Sequence, residues 1–285
     1  METLTVKKVN EVYMTIDCDG GSCFELSDYF TFTVPGMQFM PAVRNKFWDG
    51  KIRLFNAQTK KIYSGLLPHV QKFCDERDYN LEIDPAYADD EFSLQEAKQF
   101  ASTLDLDAFA HAIKKKRALM LSPTASGKSL IIYLLAAYLN KKTLIVVPTI
   151  SLVQQMAGDF KSYGYQGDPH MITAGVEKET DNPITISTWQ SIHKMPKKWF
   201  EQFDVVIGDE AHLFKSKSLT SIMTKLIGTP YRYGFTGTLD GTLTHRLVLE
   251  GLFGSVEKVT TTDELIKKGT LSEFNVKCIE LQYPD

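Results

Sequence analysis

From about residue 108 onward, short β-branched and apolar runs alternate with longer stretches of helical periodicity, and few architectures accommodate that order. The predicted strands are 117–121, 143–147, 170–173, 184–187, 205–207 and 232–235. Between them, Leu130, Ile131, Leu134, Leu135 and Tyr138 mark one helix face, and Leu152, Val153, Met156 and Phe160 another. Strands that are apolar throughout are buried on both sides, so helices must cover both faces. The expected fold class is α/β, a doubly wound parallel sheet. In such sheets ligands bind beyond the carboxyl ends of the strands.

Two of those strand ends carry residues suited to a nucleoside triphosphate and its metal. Ser122-Pro-Thr-Ala-Ser-Gly-Lys-Ser129 reads as a phosphate-binding loop, with Ser122 where the first glycine of the usual pattern would stand. Backbone N–H groups over Thr124, Ala125, Ser126 and Gly127 would cradle phosphates, Lys128 would neutralise charge, and the Ser129 hydroxyl would hold Mg²⁺. Asp209-Glu-Ala-His212 supplies carboxylates after another buried strand: Asp209 for the metal, Glu210 to orient or deprotonate the attacking water. Each segment alone also fits an ordinary helix start. Together they predict an ATPase using ATP and Mg²⁺, with Lys128, Asp209 and Glu210 catalytic.

At 285 residues the chain can hold two domains. Its 43% hydrophobic and 24% charged content is that of a globular protein, and a net charge of −3 does not advertise a polyanion partner. The charge is unevenly spread, however. Arg44, Lys46, Lys51, Arg53, Lys60 and Lys61 cluster against Asp49 alone, whereas residues 75–96 are strongly acidic. A concentrated basic patch can grip phosphates on a slightly acidic protein. Four cysteines without metal-ligand spacing suggest reduced thiols. No apolar run approaches the ~20 residues of a membrane span. No membrane partner is expected, and the expected location is cytoplasmic, in the host cell if the chain is phage-encoded.

Residues 1–85 read as a small α+β domain. Strand-like content lies at 8–17 and 30–34, with helices at 23–29 and 66–75. Residues 47–55 read as a strand or hairpin turning at Asp49-Gly50. Phe47 and Trp48 are open to two readings, stacking on nucleic acid or packing in the small domain. Residues 86–107 are the expected linker, with its acidic, Pro85-containing start at 84–93. Residues 108–270 form the ATPase domain, and 271–285 begin a connection beyond it.

Further small hydroxyl residues fall at strand ends: Val147-Pro-Thr-Ile-Ser151, Ile172-Thr-Ala-Gly175, Ile186-Ser-Thr-Trp-Gln190 and Phe235-Thr-Gly-Thr238. In this succession they resemble superfamily 2 helicases and translocases of the DEAH/DExH type. Motif I resembles 122–129, motif Ia 147–151, motif II 209–212 and motif III 236–238; 249–256 and 264–269 resemble the exit from a first RecA-like domain. Arg44-Asn-Lys-Phe-Trp-Asp-Gly-Lys-Ile-Arg-Leu-Phe55 is similar to the N-terminal module of phage UvsW-type helicases, and Trp199-Phe200 and Tyr283-Pro-Asp285 fit the same layout. The resemblance implies a RecA-like sheet behind a small nucleic-acid-binding domain, and ATP-driven remodelling of branched DNA or R-loops. It implies that His212, Thr236 and Thr238 couple nucleotide state to the nucleic acid. Arg44, Lys46, Trp48, Lys51, Arg53, Pro148, Thr149, Thr173, Gly175 and Thr188 would contact duplex or branched DNA, or an RNA–DNA hybrid.

Two departures stand out. The adenine-reading glutamine that precedes motif I in this superfamily would fall near Asp105, where no Tyr-Gln pair occurs. Either adenine recognition is relaxed or a short segment is absent. The chain also ends at Asp285, where a second RecA-like domain with its arginine fingers is expected in cis. Loss of such arginines costs about 10³–10⁵ in turnover, so this chain alone is expected to hydrolyse ATP very slowly. The alternatives are a nucleic-acid-binding module with a vestigial ATPase site, and the motor subunit of a restriction nuclease. Intact Lys128, Asp209 and Glu210 argue against the former, and no nuclease constellation is evident for the latter.

Overall fold

The computed structural model describes residues 2–88, 97, 100, 107–123, 126–239 and 243–260. The small domain has a four-stranded sheet in the order β5-β2-β1-β6, from β1 (Thr3–Lys8), β2 (Tyr13–Asp17), β5 (Lys61–Tyr63) and β6 (Asn80–Ile83). A separate ribbon pairs β3 (Thr31–Thr33) with β4 (Lys51–Arg53). The strand content at 8–17 belongs to a hairpin rather than one strand. The Asn10 side chain accepts the Val12 and Tyr13 amides at 2.8 and 2.9 Å and turns the chain. Asp49-Gly50 likewise joins no hairpin of its own, because β4 finds its antiparallel partner in β3. Helices Gly20–Tyr29 and Leu67–Asp75 match expectation, and Leu26, Phe30, Val70 and Phe73 bury against Leu4, Val6, Met14 and Ile16.

Phe47 is 86% exposed and Trp48 half-buried, so neither belongs to that core. Asp84, at the end of the expected 1–85 domain, is tied to it by its side chain. The Asp84 carboxylate accepts the Lys8 and Ala86 amides, and the Tyr87 hydroxyl reaches Ser64 Oγ at 3.0 Å. The rest of the acidic stretch, 89–93, lies outside the described residues, as do Asp105 and everything after residue 260, including 264–269, 271–285 and Cys278. Cys18, Cys23 and Cys74 are free thiols. Among the described residues no helix is long and apolar enough to cross a membrane.

The second sheet has seven strands, every pair parallel, in the order β13-β7-β12-β11-β8-β10-β9. They are β7 (Arg117–Leu121), β8 (Thr143–Val147), β9 (His170–Ile172), β10 (Ile184–Thr188), β11 (Val205–Gly208), β12 (Tyr231–Thr236) and β13 (Val256–Lys258). β13 was not anticipated: Val256-Glu-Lys258 contains one apolar residue and is an edge strand on β7. Two apolar layers sandwich the sheet. Helices Lys128–Leu139 and Ile150–Ser162 supply one, and Lys217–Lys225 and Leu243–Phe253 the other.

Arg232 sits in β12 with no exposed surface. Its guanidinium donates to Leu252 O, Leu226 O and Met223 O at 2.8, 2.9 and 2.8 Å. Burial pushes its pKa down to about 9.

The two domains meet on the Leu243–Phe253 helix. Leu247 lies in the small domain's core, and Gly65 approaches that helix so closely that a Cβ would stand 2.1 Å from Glu250 O. The nearly buried Glu250 carboxylate takes His69 Nε2 on one oxygen and Arg246 Nε on the other, both at 2.6 Å. Burial alone would push the Glu250 carboxyl up, yet the bonds from His69 and Arg246 hold it below its ordinary value. A depressed carboxyl stabilises the fold above its unfolded pKa, and that contribution fades as pH falls through the folded one. Glu250→Gln is therefore expected to destabilise the seam by about 1–3 kcal/mol at neutral pH and by progressively less in acid. Urea midpoints of both proteins across pH test this; a gap that does not narrow in acid would count against it.

Candidate functional site

β7 and β11 end on the same edge of the sheet, separated only by β12. The chain leaves β7 through Ser122, which is buried, donates its N–H to Thr236 O at 2.8 Å, and hydrogen-bonds Ser126 Oγ through its hydroxyl. Ser122 thus uses its side chain to brace the loop where the common pattern has glycine. Gly127 then adopts φ +78°, a left-handed conformation that side chains rarely tolerate, and starts the Lys128–Leu139 helix. Thr124 and Ala125 lie outside the described residues.

That geometry carries Lys128 across to the acidic pair. Lys128 Nζ lies 3.1 Å from Glu210 Oε1. Glu210 is itself held at φ +51°, uncommon for a residue with a side chain, two residues after β11 ends. Asp209 is 8% exposed, its N–H bonded to Val146 O at 2.9 Å and its Oδ1 accepting the Glu210 amide at 3.0 Å. Burial pushes the Asp209 carboxyl up, partly offset by the Lys128 charge. A cleft of about 520 Å³ is lined by Gly127, Lys128, Ser129, Asp209 and Glu210, and on its other wall by Leu152, Gln155, Met156 and Asp159. Sequence reasoning assigned Leu152 and Met156 to core and missed Gln155 and Asp159. Their i, i+4 spacing beside the apolar face was the available signal.

The chain of contacts continues away from the cleft. His212 Nδ1 lies 3.4 Å from Glu210 Oε2 and 3.0 Å from Thr236 Oγ1, and Thr236 Oγ1 donates to Thr238 O at 2.7 Å. The three residues expected to couple are thus one connected series running from Glu210 to the loop after β12.

The expected nucleic-acid contacts fall into two groups. Pro148 and Thr149 follow β8, Thr173 and Gly175 follow β9, and Thr188 ends β10, all at the carboxyl edge of neighbouring strands. Thr149 caps the Ile150–Ser162 helix by accepting the Leu152 amide at 3.3 Å, while Thr188 is buried with its hydroxyl on Ser191. The second group lies on the arm around β4, and none of it lines the cleft. Arg44, Lys46 and Lys51 are exposed, Trp48 Nε1 donates to Lys51 O at 3.0 Å, and Arg53 is paired with Asp49. Lys60 is likewise tied to Asp17 at 2.6 Å. The available charge of this patch is therefore smaller than its composition suggests. Phe39, 77% exposed, was not singled out from the sequence.

Comparison with known proteins places this arrangement. Residues 91–241 match the family described as Type III restriction enzyme, res subunit, and residues 4–84 match DNA helicase UvsW, N-terminal. The crystal structure of the UvsW helicase from bacteriophage T4 superposes with a TM-score of 0.80 at 33% identity, over 90% of this chain and 99% of that one. The chain belongs to the UvsW family of superfamily 2 helicases. It is 34% identical to the ATP-dependent DNA helicase uvsW of Enterobacteria phage T4 over 96% of its own length and 59% of that protein's. It is 27% identical to the DNA 3'-5' translocase XPB2 of Sulfurisphaera tokodaii over 74% of this chain and 45% of that protein. The chain thus spans less than two thirds of these relatives. The RecA-like α/β sheet behind a small α+β domain is the fold of this family.

Proposed function

We propose that this chain is the ATP-binding and DNA-gripping part of an ATP-driven helicase or translocase that remodels branched DNA or R-loops, working with a second RecA-like domain in cis. The observation that carries the reading is the 3.1 Å approach of Lys128 to Glu210 beside buried Asp209 in one cleft. One hydroxyl and one carboxylate, Ser129 and Asp209, suit Mg²⁺, which takes few protein ligands and shares the rest with phosphate and water. Mg²⁺, when bound with ATP, supplies charge neutralisation for the transferred phosphoryl group.

The chain's own residues do the rest. Backbone amides over 127–129, at the start of the Lys128–Leu139 helix, would meet the phosphates, and Lys128 would exchange its Glu210 partner for them. Glu210, released from the lysine, accepts the proton of the attacking water, and His212 relays the change to Thr236 and the loop after β12. Among the described residues no arginine lines the cleft, which supports a requirement for a second domain to stabilise transition-state charge.

On the DNA side, exposed Arg44, Lys46 and Lys51 meet phosphates and exposed Phe39 and Phe47 offer stacking surfaces. Lys128→Ala is expected to abolish nucleotide binding and leave DNA binding intact. Lys46→Glu with Lys51→Glu should weaken duplex binding and reduce the slope of log K against log salt by about 2, near 0.9 per phosphate contact. Fluorescence-anisotropy titrations at several salt concentrations measure both, and an unchanged slope would make those lysines ordinary solvated surface. Arg53→Glu is expected to change the slope less, since Asp49 already neutralises it.

A further inference from the structure

The Ser129 hydroxyl has a protein partner outside the phosphate loop. Its Oγ lies 2.9 Å from the phenol oxygen of Tyr163. Tyr163 terminates the Ile150–Ser162 helix, where its N–H donates to Asp159 O at 2.9 Å. Its ring packs on Tyr133 with centroids 5.7 Å apart, and Tyr133 packs on Phe160 at 5.3 Å. Tyr133 is one turn beyond Ser129 on the same helix face. The aromatic stack therefore aims the phenol oxygen at Ser129, and nothing in the reactions assigned above uses it.

A serine hydroxyl carries one proton and two acceptor lone pairs, and its rotor is free unless a partner holds it. When the oxygen gives a lone pair to a divalent cation, the O–H becomes more acidic and its proton needs an acceptor. Groups that supply such a partner to a metal ligand set its orientation, and removing them lowers metal affinity about 10–100-fold. Half-buried Tyr163 stands at the right distance to be that acceptor.

We propose that Tyr163 is a positioning residue of the metal site: its phenol oxygen accepts a hydrogen bond from the Ser129 hydroxyl and thereby turns a Ser129 lone pair into the cleft for the cation of a metal–nucleotide complex. The inference rests on the ATPase reading above. It makes the Ile150–Ser162 helix a direct link between the metal ligand and Thr149, the candidate phosphate contact that caps its other end.

Tyr163→Phe keeps the ring and deletes only the oxygen, so the aromatic stack survives. The test is equilibrium binding of a fluorescent ATP analogue to the protein, titrated with Mg²⁺ and repeated in EDTA. It is run on wild type, Tyr163→Phe, Ser129→Ala and the double variant. Tyr163→Phe is expected to raise the Mg²⁺ concentration for half-maximal binding about 10-fold, to leave binding in EDTA unchanged, and to add nothing to Ser129→Ala. Equal Mg²⁺ midpoints for wild type and Tyr163→Phe overturn the inference while leaving the ATPase reading standing. A comparable loss in EDTA, or a full-sized effect persisting without Ser129, marks a packing role and also overturns it. If Ser129→Ala itself leaves the Mg²⁺ dependence untouched, the metal role of Ser129 falls, and this proposal with it.

Discussion

Glu210→Gln is expected to lower DNA-stimulated ATP turnover by about 10²–10⁴ while nucleotide affinity stays within a few-fold of wild type. The substitution preserves volume and backbone, including the left-handed conformation that aims residue 210. It removes only the negative charge able to accept a proton. Binding should not suffer, because Lys128, 3.1 Å away, loses a competitor for its ammonium and is freer to meet phosphate. The same change weakens the pull on His212, so the response of the Thr236–Thr238 loop to nucleotide should be blunted. Steady-state phosphate release by the full-length protein at saturating DNA, paired with a direct nucleotide-binding measurement, reads both quantities. Equal turnover in variant and wild type would end the catalytic assignment and favour a vestigial site. A joint loss of binding and turnover would mean that Glu210 shapes the pocket rather than the reaction.

Arg232→Met is expected to be the most destabilising single substitution in the parallel-sheet domain, by at least about 3 kcal/mol. The three carbonyls that its guanidinium satisfies, Met223 O, Leu226 O and Leu252 O, lie at or near the C-terminal ends of two helices. Helix ends leave carbonyls without intrahelical donors, and a buried end must find another partner. A single cation therefore closes Lys217–Lys225 and Leu243–Phe253 against the sheet, where the negative ends of both helix dipoles favour positive charge. Methionine fills the volume but donates nothing, and each carbonyl left buried and unpaired costs about 1–3 kcal/mol. Because Leu243–Phe253 also carries the seam with the small domain, the loss should loosen both. The urea midpoint followed by circular dichroism should fall by on the order of 1 M or more. An unchanged midpoint would show that water or relaxation replaces the guanidinium.

Much of the parallel-sheet domain was legible because its signals are local. Six of the seven parallel strands are apolar enough to stand out, and the helices between them repeat at helical spacing. Residues immediately after a strand end up on one edge of a parallel sheet, so Lys128 and Glu210 could be expected to meet from position alone. The small domain was less legible for the same reason. Its β3–β4 ribbon joins segments about 20 residues apart, and Asp49-Gly50 imitates a hairpin turn that longer-range pairing overrides. Phe47 and Trp48 had two readings in the sequence; in the structure Phe47 is exposed, and Trp48 is half-buried with its Nε1 on Lys51 O.

What the amino-acid order determined by itself was a strand–helix rhythm, a glycine that permits a left-handed start before Lys128, and acids placed to face it. Those follow from backbone sterics and the burial of apolar periods, which act over a few residues. Only tertiary structure decided that Tyr163 meets Ser129, that Arg232 closes two helices, that Asp49 and Asp17 neutralise part of the basic patch, and that Glu250 joins the domains. The partners of Tyr163, Asp17 and Glu250 lie 34, 43 and 181 residues away, whereas Arg232 draws on carbonyls of two helices and Asp49 on Arg53 four residues on. A hydrogen bond or ion pair has no sequence period, and its partner exists only once the packed core has brought the two together.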